Sequence, residues 1–257
     1  MTPLFAHTDR ARSFNAAAAQ YAANRPSYPA ALLDAIEELA GRSLTGARVA
    51  DAGAGTGIAT ALLHARGARV VAVEPGEGMA VQFRRTLPDV PVVRGDGNHL
   101  PLAADSLDFL TYAQSWHWTD PALAVPEALR VLRPGGALVL WWNTSALDVP
   151  WQRAQALRMQ DHFGLDQATD RTGDGSHAAR AALSGPVDLV HRRVRWSRSV
   201  PVDTHLANIG SHSLFLVQAE ADTAAFLAEE RAHLLAGFPD GTVEETYDVE
   251  LLLALRP

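Results

Sequence analysis

Neither cysteine nor lysine occurs in the 257 residues. The missing thiol excludes disulfides, thiolate zinc sites, cysteine nucleophiles and cysteine-ligated iron–sulfur clusters. Without lysine there is no GK[ST] ending, so a nucleotide-triphosphate P-loop is excluded. No apolar run approaches the ~20 residues of a membrane span. The opening MTPLFAHTDRARSFNAAAAQYAANRP lacks the apolar segment of a secretory signal, which points to a cytoplasmic protein with no membrane partner. Net charge is −7, and no basic stripe of the kind nucleic acid requires is present. The one basic cluster, His191, Arg192, Arg193 and Arg195, alternates like one face of a strand. It reads as a solvated edge or as a contact for an acidic substrate.

What is present is a regular alternation of short apolar runs and helical patterns. Strands are expected at 47–52, 69–73, 90–94, 107–113 and 137–142. Helices are expected at 29–40, 58–65, 79–86 and 121–132, with a turn at 133–136. Strands that are apolar throughout belong to a parallel sheet covered on both faces. The segment 143–186 has no clear strand, a helix at 151–163 and a polar loop at 166–176. Two further strands, 187–200 and 243–255, flank a helix at 221–236. The pattern predicts a single α/β domain over 1–257 with a doubly wound, Rossmann-like sheet. Within it, 1–45 forms an N-terminal helical cap, 46–143 the core, 144–186 an insertion after the fifth strand, and 187–257 the closing strands and helix.

The stretch VADAGAGTG, 49–57, carries the chemistry. In an open parallel sheet ligands bind beyond the carboxyl ends of the strands. Glycines at Gly53, Gly55 and Gly57 let backbone approach a ligand closely. The spacing is G-x-G-x-G, and Ile58 stands where the dinucleotide fingerprint needs its last glycine. Asp51 just before the loop would repel a pyrophosphate and suits an ammonium. Glu74, ending the second strand, can accept from a ribose diol. Asp96, ending the third, can accept from an exocyclic amine. S-adenosylmethionine presents all three groups and no phosphate.

VADAGAGTG, VVAVEPGEGM, GDGNHLPLAADSLDF and EALRVLRPGGALVLWWN, in that order, resemble the class I S-adenosylmethionine-dependent methyltransferases over 49–143. YAANRPSYP, GSHSLFL and GTVEETYDVELLLALRP are similar to the subgroup that includes trans-aconitate methyltransferase. The resemblance implies seven strands with the last antiparallel, S-adenosylmethionine as cofactor and S-adenosylhomocysteine as product. It implies that Gly53 and Gly55 underlie the methionine part and that Asp51 helps hold its ammonium, directly or through water. Glu74 would take the ribose hydroxyls, and Gly76 and Met79 would lie near the adenine. Asp96 would accept from adenine N6, the Gly97 N–H would face the ring, and Gln114 would line the methionine side. Asn98 replaces the acid usual two residues after Asp96, which leaves its role open. Tyr21, Arg25 and Tyr28 lie in a segment that folds over the cofactor in the subgroup. Arg25 is then a carboxylate clamp or a surface residue, and Tyr21 a cap.

The acceptor side rests on Gln114-Ser115-Trp116-His117-Trp118. His117 is a candidate general base or a structural hydrogen-bonder. Trp116 and Trp118 wall the pocket or join the core. Beyond the fifth strand, Asn143, Trp151, Gln155, Arg158 and His162 are candidate acceptor contacts, the last four at helical spacing. Such a face suits a solvated helix equally well. His212 is a further acceptor contact, because the subgroup places GSHS near the active-site mouth. His205 and His212 lack metal-ligand spacing, so no metal is expected. The function expected is methyl transfer to O, N or C of a small molecule, a carboxylate or a secondary-metabolite intermediate, by a monomer or homodimer. The alternatives are a non-methylating reaction such as cyclisation on the same cofactor, a non-catalytic cofactor-binding module, and an NAD-dependent oxidoreductase, disfavoured by the missing glycine.

Overall fold

The computed structural model describes residues 24–164, 175–183, 187–212, 214–215 and 218–257. In chain order the elements are α1 (Ala30–Ala40), β1 (Arg48–Ala52), α2 (Ile58–Ala65), β2 (Arg69–Glu74), α3 (Glu77–Thr86), β3 (Val92–Arg94) and β4 (Leu107–Ala113). A 3-10 turn (Trp116–Trp118) precedes α4 (Pro121–Val131) and β5 (Leu132–Ser145). Then follow α5 (Pro150–Phe163), α6 (Ser176–Leu183), β6 (Leu189–Pro201), α7 (Val202–Gly210), α8 (Glu220–Gly237) and β7 (Thr242–Leu255).

The seven strands form one sheet in the order β3-β2-β1-β4-β5-β7-β6. β1 pairs in parallel with β2 and with β4, β2 with β3, and β4 with β5. The order reverses between β1 and β4, which is the switch point where an open α/β sheet binds its ligands. β7 runs antiparallel, as the resemblance implies. Gly135 donates to the Arg256 carbonyl and Arg256 to the Gly136 carbonyl, while Ala146 donates to the Thr246 carbonyl; one strand rises as the other falls. β1 and β4 are buried at most positions on both faces, which is why their sequences read as continuous apolar runs.

By its contacts the chain divides into two compact units. One is Ser27–Asn143, Asp174–Val194 and Val249–Pro257; the other is Met1–Pro26, Thr144–Gly173 and Arg195–Asp248. The first holds a core that includes Val73, Leu110, Tyr112, Trp116, Leu138, Leu140, Trp142 and Leu252. Each such side chain contributes roughly 1.5–3 kcal/mol by leaving water. The second gathers Val202, Leu206, Ile209, Phe215, Phe226, Leu234 and Val243.

Three features differ from the sequence reading. β5 does not begin at 137 but at Leu132, because Gly135 and Gly136 keep pairing with Arg256 through the expected turn. α6 stands at the end of the expected polar loop and α7 directly after β6. The rest of the loop, 166–174, lies outside the described residues. The basic cluster lies on β6, at the sheet edge. There Arg192 pairs with Glu38, Arg193 with Glu250, and Arg195 with both Asp148 and Asp248.

Candidate functional site

Beyond Ala52 the chain leaves β1 with φ +69° at Gly53, a region open to glycine at little cost. A Cβ there would also lie 2.6 Å from the Ser115 Cβ. The Gly53 and Ala54 N–H groups both donate to the Val73 carbonyl, at 2.8 and 3.2 Å. That pins the loop to the end of β2, where Glu74 stands.

Glu74 is buried and spans two loops. Its Oε2 accepts the Gly55 N–H at 2.8 Å and its Oε1 the Gly76 N–H at 2.6 Å. Burial pushes its pKa up against those two bonds. Each carboxylate oxygen has two lone pairs, so each retains one beyond its backbone partner.

Asp51 is wholly enclosed. Thr60 Oγ1 on α2 donates to Oδ2 at 2.6 Å and Thr111 Oγ1 on β4 to Oδ1 at 3.0 Å. Desolvation pushes its pKa up to about 6, in spite of the two hydroxyls. The resemblance has this carboxylate help hold a ligand ammonium, directly or through water; in the structure it is buried and braces the glycine loop from β4 and α2.

Asp96 Oδ1 accepts the N–H groups of Asn98 and His99, at 2.7 and 3.2 Å. Asn98 Oδ1 accepts the Asp120 N–H at 2.8 Å, and Asp120 caps α4 through the Ala122 N–H. Asn98 thus fastens this loop to the start of a helix. The Gly97 carbonyl accepts from the Tyr112 hydroxyl at 2.9 Å, and a Cβ on Gly97 would lie 2.7 Å from that ring. Met79 is buried in the first turns of α3.

Gln114, just past β4, has φ +57°, a strained conformation for a residue with a side chain. Its N–H donates to the Trp141 carbonyl, and its Nε2 to the Asn143 carbonyl at 3.2 Å. Asn143 Nδ2 donates in turn to the Ser27 carbonyl, beside Tyr28, whose ring meets Trp141 edge-on at 5.7 Å. The left-handed residue throws Ser115 back onto the loop, where its hydroxyl donates to the Ala52 carbonyl at 2.6 Å. Trp116 then enters the core, edge-on to Tyr112 at 4.9 Å, so it is core and not an exposed wall. His117 is half-buried, and the indole Nε1 of Trp142 donates to its Nδ1 at 3.3 Å. The structure therefore brings Gly53, Gly55, Glu74, Gln114 and His117 to the strand ends around one glycine loop.

The other candidates fall in the second unit. Arg25 Nη2 donates to the Ser211 carbonyl at 3.2 Å. Burial, with the charges of Arg25 and His205, holds His212 neutral, well below the ordinary imidazole range. On α5 the spacing does make one face: Trp151, Gln155 and Arg158 are spent inside the unit, while His162 is exposed beside Phe163 and Phe226. Trp151 packs edge-on against His205 and Phe238. Arg158 makes two bonds, 2.7 and 2.6 Å, to Glu230, so the carboxylate this guanidinium holds is the chain's own. Gln155 also donates to Glu230 and meets His205, which sits 2.6 Å from Glu245. Among the described residues no group of His, Asp or Glu could hold a metal. Tyr21 lies outside the described residues.

Sequence reasoning missed Thr60, Thr111 and Trp142. For Trp142 a signal existed: it shares a strand face with Leu138 and Leu140, opposite Trp141.

Residues 50–140 match the family model of a methyltransferase domain. Over 90% of its length the chain is 35% identical to an uncharacterized methyltransferase of Mycobacterium tuberculosis, of which it covers 88%. It is 30% identical to a bifunctional biotin-biosynthesis protein of Cellvibrio japonicus, over 96% of this chain and 50% of that protein. The solved structure of a candidate type II methyltransferase from Anaeromyxobacter dehalogenans matches with a TM-score of 0.72 at 25% identity. That match covers 90% of this chain and 98% of that one.

Proposed function

The chain belongs to the class I S-adenosylmethionine-dependent methyltransferases, and from that premise we propose that it methylates a small-molecule acceptor on oxygen, nitrogen or carbon, in the cytoplasm and without a nucleic-acid partner. The cofactor of the family is S-adenosylmethionine, released as S-adenosylhomocysteine.

The residues at these strand ends fit that cofactor. A buried carboxylate whose pKa is raised by desolvation gains from added hydrogen-bond donors, and Glu74 has a lone pair left on each oxygen for a ribose diol. Among the described residues Asp96 Oδ2 has no protein partner, which suits an exocyclic amine. When bound, the cofactor supplies a methyl group already activated on a sulfonium. Gly53 and Gly55 then carry the methionine end, with Gln114 beside it. Met79 and Gly97 border the adenine, and Asp51 braces the loop.

The observation that carries the acceptor side is the contact of Gly53 with Ser115, which seats the turn bearing His117 on the glycine loop. Held there, His117, Tyr28 and Asn143 border the acceptor and keep it in line while water is kept out. Positioning of this kind supplies much of the rate in a reaction whose leaving group is already activated.

Calorimetric titration with S-adenosylmethionine, S-adenosylhomocysteine and NAD, side by side, tests the cofactor end. Incubation of S-adenosylmethionine with a panel of small acids, phenols and amines then tests the transfer. The expected product is heavier than its acceptor by one methylene. A product of unchanged mass would instead favour the cyclising alternative, and tight binding with no product the non-catalytic one.

A further inference from the structure

His117 is held on three sides. Its backbone is fixed in the 3-10 turn: the Trp118 N–H donates to the Ser115 carbonyl at 3.0 Å and the Thr119 N–H to the Trp116 carbonyl at 2.9 Å. Gly175, with φ +74°, lies so close that a Cβ on it would stand 2.7 Å from the His117 Cβ. The Trp118 ring flanks the imidazole at 4.6 Å. A further hold is chemical. Trp142 is fully buried, and its Nε1–H donates to His117 Nδ1.

An indole nitrogen can only donate, so the Nδ1 that it meets must present a lone pair. A neutral imidazole carries one proton, and that proton is then on Nε2. Protonating Nδ1, or turning the ring over, would strand a buried donor. The fold already holds two such donors, since the indole N–H groups of Trp116 and Trp141 are buried without a partner among the described residues. Trp142 differs in having an acceptor, and that acceptor is His117, two residues past the Ser115 that is seated on the glycine loop.

We propose that Trp142 is a positioning residue that fixes His117 as a hydrogen-bond donor through Nε2, and that His117 therefore orients the acceptor and does not take its proton. This rests on the methyltransferase reading of the site. The acceptor is then of a class whose reacting atom has its lone pair available before binding. That pair forms the new bond to the methyl carbon as the methyl–sulfur bond breaks. The bonding pair stays on sulfur, the positive charge of the sulfonium is cancelled, and no proton passes to His117. Nε2 keeps its proton throughout.

The test needs neither cofactor nor acceptor. The full chain is labelled with 15N in its histidines, and long-range proton–nitrogen spectra are recorded well above the histidine titration range. His117 is assigned by the signals missing in His117→Ala. The expected pattern is a lone-pair nitrogen at Nδ1 and a protonated one at Nε2. In Trp142→Phe the two nitrogen signals should move toward one another, as the preference for one tautomer weakens. A proton on Nδ1 in the wild type, or an unchanged pattern in Trp142→Phe, overturns the proposal. If Trp142→Phe fails to fold, the partner side decides. In His117→Ala the Trp142 indole hydrogen should exchange about tenfold faster, having lost its acceptor; an unchanged rate overturns the proposal equally. These spectra stand whether or not a methylated product is found, so failure of the methyltransferase reading shows in the mass assay alone.

Discussion

Gly53 meets Ser115 head on: a Cβ on the glycine would lie 2.6 Å from the serine Cβ and 3.0 Å from its Oγ. At Gly55, two residues later, a Cβ would meet nothing within 4 Å. The two glycines have similar backbones, φ +69° and +59°, so they separate strain from overlap. Gly55→Ala carries the strain alone and should cost about 1–2 kcal/mol. Gly53→Ala adds overlap with a serine that is itself bonded to Ala52, and should cost about 1–3 kcal/mol more. Urea denaturation of the two variants measures the difference. Equal losses would mean that Ser115 yields and that the loop is not clamped to the end of β4.

Asp51 gives the protein a pH dependence of unusual sign for a carboxylate. Its folded pKa, about 6, lies above the ordinary 3.8 because burial disfavours the charge. The folded chain binds this proton more tightly than the unfolded chain, so the contribution is complete below about pH 4 and is lost as the pH rises through about 6. At ~1.4 kcal/mol per unit the loss is roughly 3 kcal/mol. Asp51→Asn cannot titrate. The stability of the wild type relative to Asp51→Asn should therefore fall by about that amount between pH 4 and pH 7. A constant difference would show that Asp51 ionises as an exposed acid does.

Glu74 joins two loops and, in the proposed function, the ribose. In Glu74→Gln an amide group must face one of the N–H donors of Gly55 and Gly76. Two effects should follow together: a lower melting temperature without ligand, and S-adenosylhomocysteine affinity reduced about 10- to 100-fold. Calorimetry and thermal melts on one preparation read both. Undiminished affinity would remove Glu74 from the cofactor site while leaving it as a loop brace.

These residues also mark how far the sequence could be read. Glu74 and Gly53 were legible because a parallel strand announces its own end, and ligands collect at such ends. The direction of the Asp51 carboxylate was not, because that depends on Thr60 and Thr111, from a helix and a neighbouring strand. β5 reads five residues short at its start, since what extends it is Arg256, more than a hundred positions away. α7 was hidden because the period-2 pattern of β6 runs straight into it, and Pro201 reads as a strand end and not as a helix N-cap. The pairing of His117 with Trp142 is of the same kind: two separate strand ends, adjacent only once the sheet is built.

The second unit offers a cleaner separation of stability from function, at Arg158 and Glu230. Glu230 is 1% exposed, and it owes its lowered pKa, against the desolvation that opposes it, to Arg158 and Gln155. Removing the guanidinium leaves a buried carboxylate with an amide as its remaining side-chain donor, so Arg158→Met should destabilise the protein by about 3 kcal/mol. Pairing that change with Glu230→Gln removes the stranded charge and should restore most of the loss, because a buried ion pair replaced as a whole is often nearly neutral. Chemical denaturation of the two singles and the double closes the cycle. The double variant then answers the question that the helical spacing of α5 raised. If it is stable and turns over normally, Arg158 serves its own unit, as its bidentate bond to Glu230 indicates. If it is stable and the acceptor KM rises steeply, the guanidinium leaves Glu230 during turnover and holds the acceptor instead.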